Sequence, residues 1–160
     1  MDLKFRILRM ILPIGSVSLD KIDKKLLFDN NDEIEAIAKK FNLKLLILFG
    51  SYAKGLNHEN SDIDLAFESY KALSYDEEMK LLLNLSLYFR TEKVDLVNIK
   101  KADPLLLYQI AKYGRPLYGS TNDFVEFKCY ASFRYADTQF LREQRRQYLR
   151  KEIDKLLRGE

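Results

Sequence analysis

Five consecutive apolar residues, Leu45-Leu46-Ile47-Leu48-Phe49, run without interruption into Gly50-Ser51. An apolar run of that length predicts a strand buried on both faces. From Asp62 to Phe67 the pattern alternates instead, with Ile63, Leu65 and Phe67 on one face and Asp62, Asp64 and Ala66 on the other. That period of two predicts a second strand with one apolar face. Val94 and Leu96 alternate with Asp95 and Val97, which predicts a third strand.

Helical spacing fills the intervals. Ile34, Ile37, Ala38 and Phe41 fall on one face after an N-cap at Asn31, with Asp32 and Glu33 in the first turn and Asn42 closing the helix. Ser74-Tyr75-Asp76-Glu77 reads as a capping box opening a helix whose apolar side is Met79, Leu82, Leu83 and Phe89. Asp103-Pro104 opens another, carried by Leu105, Tyr108 and Ala111 and stopped at Gly114; Arg115 to Tyr118 follows as a short extended piece. From Thr121 the chain reads as helical nearly to its end, with one stripe at Phe124, Phe127, Ala131 and Tyr135 and another at Leu149, Ile153 and Leu156. Periodicity leaves open whether this is one helix or two. Strands alternating with helices predict an α/β (α+β) fold.

Residues 1–30 fit both periods, and Pro13 and Gly15 break them. They are expected to form an N-terminal arm, packed or at a dimer contact, before a core at 31–120 and a basic helical segment at 121–160. A chain of 160 residues suffices for one compact domain. No apolar run reaches the ~18 residues of a membrane span. Lys4, Arg6 and Arg9 interrupt the apolar start and no small-x-small cleavage pattern follows. The segment is therefore expected to be retained and the protein to be cytoplasmic, with no membrane partner. The lone Cys129 forms no internal disulfide. A net charge of +3 does not argue for nucleic acid as a direct substrate. It is unevenly placed: from Lys128 onward nine Lys and Arg face five Asp and Glu, so the rest of the chain is near neutral.

Asp62 and Asp64, two apart on a strand, project side by side, and neighbouring like charges repel unless a cation neutralises them. Oxygen donors of this kind suit Mg2+. Glycine lets backbone approach an anion closely, and amides at a strand-to-helix turn point at phosphate, so Gly50-Ser51 reads as a phosphate cradle. A cradle joined by a ten-residue loop to a carboxylate pair makes a nucleotide site. If the Asp95 strand lies beside the Asp62–Asp64 strand, three carboxylates meet and could support two-metal phosphoryl chemistry. Ionised, Asp95 is also placed to accept a proton. Lys54 reads equally as a phosphate contact or a surface charge. His58, the only histidine, reads as a surface residue of a polar loop, and Tyr108, Tyr113 and Tyr118 as core or boundary aromatics.

Gly50-Ser51, ten residues, then Asp62-x-Asp64 resembles the signature of the polymerase-β-like nucleotidyltransferases. The compact surroundings resemble their minimal (MNT-type) branch, which includes the MntA antitoxins. The resemblance runs from about Asp32 to Tyr118 and includes Val94-Asp95-Leu96-Val97 and Gly114-Arg115-Pro116-Leu117-Tyr118. It implies a short mixed sheet with helices and a Mg2+-dependent transfer of AMP from ATP. Asp62, Asp64 and Asp95 are then catalytic and metal-binding; Gly50, Ser51 and Lys54 bind nucleotide. The implied acceptor is a tyrosine hydroxyl of a HEPN-family toxin encoded next door. A homo-oligomer is left open. Two other functions compete: transfer onto a small hydroxyl compound, as aminoglycoside enzymes do, and a non-catalytic inhibitor that covers its partner.

Overall fold

The computed structural model describes residues 31–55 and 61–158. Expectations for residues 1–30 and for His58 lie outside the described residues. In chain order the elements are α1 (Asn31–Lys40), β1 (Leu43–Phe49), α2 (Gly50–Lys54), β2 (Ile63–Ser69), α3 (Tyr75–Phe89) and β3 (Val94–Asn98). A 3-10 turn (Ile99–Lys101), α4 (Pro104–Tyr113), β4 (Arg115–Tyr118), α5 (Thr121–Asp137) and α6 (Gln139–Arg158) complete the chain.

The four strands form one mixed sheet in the order β3-β2-β1-β4. β1 pairs antiparallel with both β2 and β4, and β2 pairs parallel with β3. The continuous apolar run of β1 is explained by this central place. Leu43, Leu46 and Leu48 enter one core with α1 and α3, while Leu45 and Ile47 enter a second with α4 and α5. A register shift between Leu43 and Leu45 sends these neighbours of Lys44 to opposite faces. β4 lies at the sheet edge, where a strand tolerates a proline such as Pro116.

Several local expectations change. The face of α3 that is buried is Leu81, Leu85, Tyr88 and Phe89, whereas Met79, Leu82 and Leu83 are only partly covered. Leucine at 81, 82, 83, 85 and 87 makes the helix apolar nearly all round, so periodicity does not select a face. Likewise α4 buries Leu107, Ile110 and Ala111, and Leu105 is exposed. Asn31 is the first residue of α1 rather than a cap outside it, and β2 begins at Ile63, one residue after Asp62. The capping box of Ser74 and Glu77 is present as read, and a second joins Ser120 to Asp123. The C-terminal region is two helices, interrupted at Thr138. Among the described residues no helix is long and apolar enough to cross a membrane.

Candidate active site

At Phe49 the central strand ends, and the chain turns into α2 through Gly50, which has φ +69°. The turn brings Gly50 against β2, whose Asp64 is paired with Phe49. A Cβ added at Gly50 would stand 1.8 Å from Asp64 Oδ2. The glycine therefore serves the left-handed backbone and also leaves the space that the Asp64 carboxylate fills. The sequence alone assigns Gly50 to phosphate approach; the contact with Asp64 depends on strand register, which the motif does not encode. Ser51 follows at the start of α2, half-buried, with Ala53 anchoring the helix in the core.

The parallel pairing of β2 and β3 sets Asp64 opposite Asp95. Both residues lie on the sheet face opposite Ile63, Leu65, Val94 and Leu96, which pack into the core beneath α1 and α3. Asp62 precedes Ile63 at the same end of the sheet. Asp62 and Asp95 are exposed and Asp64 is half-buried. Burial, and then the charges of Asp95 and Asp62, push the Asp64 carboxyl above its ordinary range. The three acids thus crowd negative charge at one end of the sheet. Among the described residues, however, no three His, Cys, Asp or Glu side chains already stand together as a metal cage. The donor set fits a hard divalent cation in kind: carboxylates only, repelling one another, two of them exposed to solvent.

Lys54, the last residue of α2, holds its ammonium 4.4 Å from the centroid of the Tyr113 ring. Tyr108 stacks on Tyr135 at 4.2 Å, joining α4 to α5, and Tyr118 is partly buried against the first core. No pattern in the sequence singles out Tyr52. It is half-buried, and burial followed by the charge of Asp62 raises its phenol pKa. A cavity of about 320 Å³ opens between α3 and β3, the other edge of the sheet. It is lined by Phe67, Met79, Leu82 and Leu96 and meets the acidic cluster at Asp95.

The chain belongs to the polymerase beta nucleotidyltransferase family, whose model matches residues 31–123. Over 81 residues, 51% of this chain, it is 36% identical to the protein adenylyltransferase MntA of Shewanella oneidensis. The match spans 58% of that relative's length. The fold is similar to a chain in the crystal structure of a toxin–antitoxin with AMP-PNP, with TM-score 0.64 and 28% identity over 78% of this chain and 98% of that one. It is also similar to a chain in the complex of tri-AMPylated Shewanella oneidensis HEPN toxin with MNT antitoxin, with TM-score 0.59 and 25% identity over 78% and 96% of the two chains.

Proposed function

We propose that this protein is a Mg2+-dependent adenylyltransferase that moves AMP from ATP onto a tyrosine of a HEPN-type toxin, and thereby acts as its cytoplasmic antitoxin. The observation that carries the reading is the register setting Asp64 beside Asp95 at the strand end where Gly50-Ser51 begins α2. The likeness to MntA adds the protein acceptor.

In the reaction the acceptor oxygen bonds to the α-phosphorus of ATP. The bond from that phosphorus to the α–β bridging oxygen breaks, and pyrophosphate leaves. Asp62, Asp64 and Asp95 are the residues that would hold Mg2+, which supplies charge neutralisation on the phosphates and a lowered pKa for the acceptor hydroxyl. A phenol suits this chemistry because its pKa, about 10, lies well below that of an aliphatic alcohol. Asp95, exposed on the edge strand, takes the proton of the incoming hydroxyl. Ser51 donates its hydroxyl to a phosphate oxygen, and Gly50 lets the backbone close on the same group. Lys54 neutralises the leaving phosphates, moving off the Tyr113 ring to do so.

These roles separate in kinetics. Asp95→Asn should slow transfer by about 10²–10⁴-fold while Mg2+-ATP affinity changes little. Single-turnover transfer and calorimetric titration measure the two quantities, and equal losses in both would make Asp95 a nucleotide-side metal ligand only. Ser51→Ala should weaken binding of Mg2+-ATP by about 1.5–3 kcal/mol, the worth of a hydrogen bond to a charged group, with unchanged circular dichroism. Unaltered titration of that variant would leave the backbone amides as the sole cradle. ATP labelled at the α-phosphate tests the reaction class. The label should appear on the HEPN protein, whereas label transferred from the γ-phosphate, or onto an added aminoglycoside, contradicts the reading.

A further inference from the structure

We propose that the exposed apolar face of α6 docks an acidic amphipathic helix of the protein that accepts AMP; this rests on the function proposed above. α6 is 20 residues long, about 30 Å, and none of its residues is buried. Leu141, Tyr148, Leu149, Ile153 and Leu156 are each between 48% and 76% exposed. At about 3.6 residues per turn they fall on one face, the width that a helix ordinarily buries against a neighbour. The helix is held to α5 through its first turn. Arg142 stacks its guanidinium 3.6 Å from the Tyr135 ring centroid and donates to the Tyr135 carbonyl and to Thr138 Oγ1. Beyond that turn the apolar face projects away from both cores.

The charge on α6 selects the occupant. Seven Lys and Arg stand against three Asp and Glu along it, and two of those acids are taken by Arg146 and Lys155. A second copy laid face to face would set one basic excess against another. Arg145, four residues after Leu141 and four before Leu149, and Glu152, three after Leu149 and four before Leu156, both fall within the apolar face. Glu152 is held by Lys155, whereas Arg145 makes no salt bridge among the described residues. A helix lying on an anionic membrane carries its cations at the flanks of the apolar face, not within it, because the centre of that face enters the acyl region. A partner helix meets both demands by presenting a carboxylate inside an apolar stripe, with further acids at its margins.

The test uses the full chain, the variants Leu149→Glu/Ile153→Glu and Arg145→Glu, and a HEPN-type toxin from the same organism as this chain. Complex formation is titrated without ATP, and transfer is then measured against acceptor concentration. Each variant should weaken the complex and raise KM for the acceptor by about tenfold or more. Their kcat and Mg2+-ATP affinity should stay near wild type, and the wild-type complex should loosen as salt rises. Variants that bind the acceptor as wild type does would overturn the proposal. So would a wild-type dimer that the double substitution dissociates in sedimentation, or wild-type binding to phosphatidylserine vesicles that it abolishes. A complex that forms on α6 without AMP transfer would contradict the proposed reaction and leave the docking surface standing. Transfer with unaltered KM in both variants would do the reverse.

Discussion

Asp64→Asn is expected to abolish AMP transfer while raising the melting temperature of the metal-free protein at neutral pH. Burial and the charges of Asp95 and Asp62 raise the Asp64 pKa in the folded state above the ordinary 3.8. A carboxyl shifted in that direction contributes its full stability below the unfolded value, and that contribution is lost as pH rises through the folded value. At neutral pH the ionised group therefore opposes folding, and asparagine removes the opposition. Thermal unfolding from pH 4 to pH 8 should show wild-type stability falling relative to the variant as Asp64 ionises. Added Mg2+ should recover part of that loss in wild type and little of it in Asp64→Asn. A variant less stable than wild type at neutral pH, or one that still transfers AMP, would remove Asp64 from the centre of the site.

Gly50→Ala should be nearly as damaging, for a reason that can be isolated. The new Cβ would sit 1.8 Å from Asp64 Oδ2, so the carboxylate must leave the space it fills. The residue must also hold φ +69°, which costs a non-glycine residue about 1–2 kcal/mol. Gly55 has the same φ, yet a methyl group added there would meet nothing within 4 Å, and so it serves as the control. Both alanine variants should lose stability in denaturant titration through the shared backbone strain, Gly50→Ala the more because of its contact with Asp64. Only Gly50→Ala should also lose transfer, by about 100-fold or more if the displaced carboxylate is required for the chemistry. Equal loss of activity in both would assign the effect to backbone strain at α2 and not to the carboxylate.

The site's parts are legible in the sequence because each rests on a local rule. An unbroken apolar run marks β1, alternation marks β2 and β3, and a serine–glutamate pair marks the start of α3. What the sequence leaves out depends on contacts between distant residues. The buried faces of α3 and α4 differ from those expected because leucines surround both helices and only the packed neighbours select a side. Gly114 shows the same limit. It ends α4 as expected, yet its φ of −69° needs no glycine. The requirement is steric, since a Cβ there would meet the Ile110 carbonyl oxygen at 2.4 Å and Ile47 Cγ2 at 2.7 Å. The pairing of Asp64 with Asp95 is conditional on strand order, and the parallel register supplies it. Leu149, Ile153 and Leu156 form a readable stripe, but only the fold shows that neither core receives it.

The central claim is that the acidic cluster beside Gly50-Ser51 transfers AMP to a protein. Intact-mass spectrometry of a HEPN-type toxin, the acceptor class proposed above, incubated with this chain and Mg2+-ATP, tests it most directly. The partner should gain one or more AMP units mapped by peptide fragmentation to tyrosine, with pyrophosphate released and with no addition when Asp64→Asn replaces wild type. A partner of unchanged mass, in a mixture where the wild-type chain binds Mg2+-ATP and forms the complex, would contradict the account.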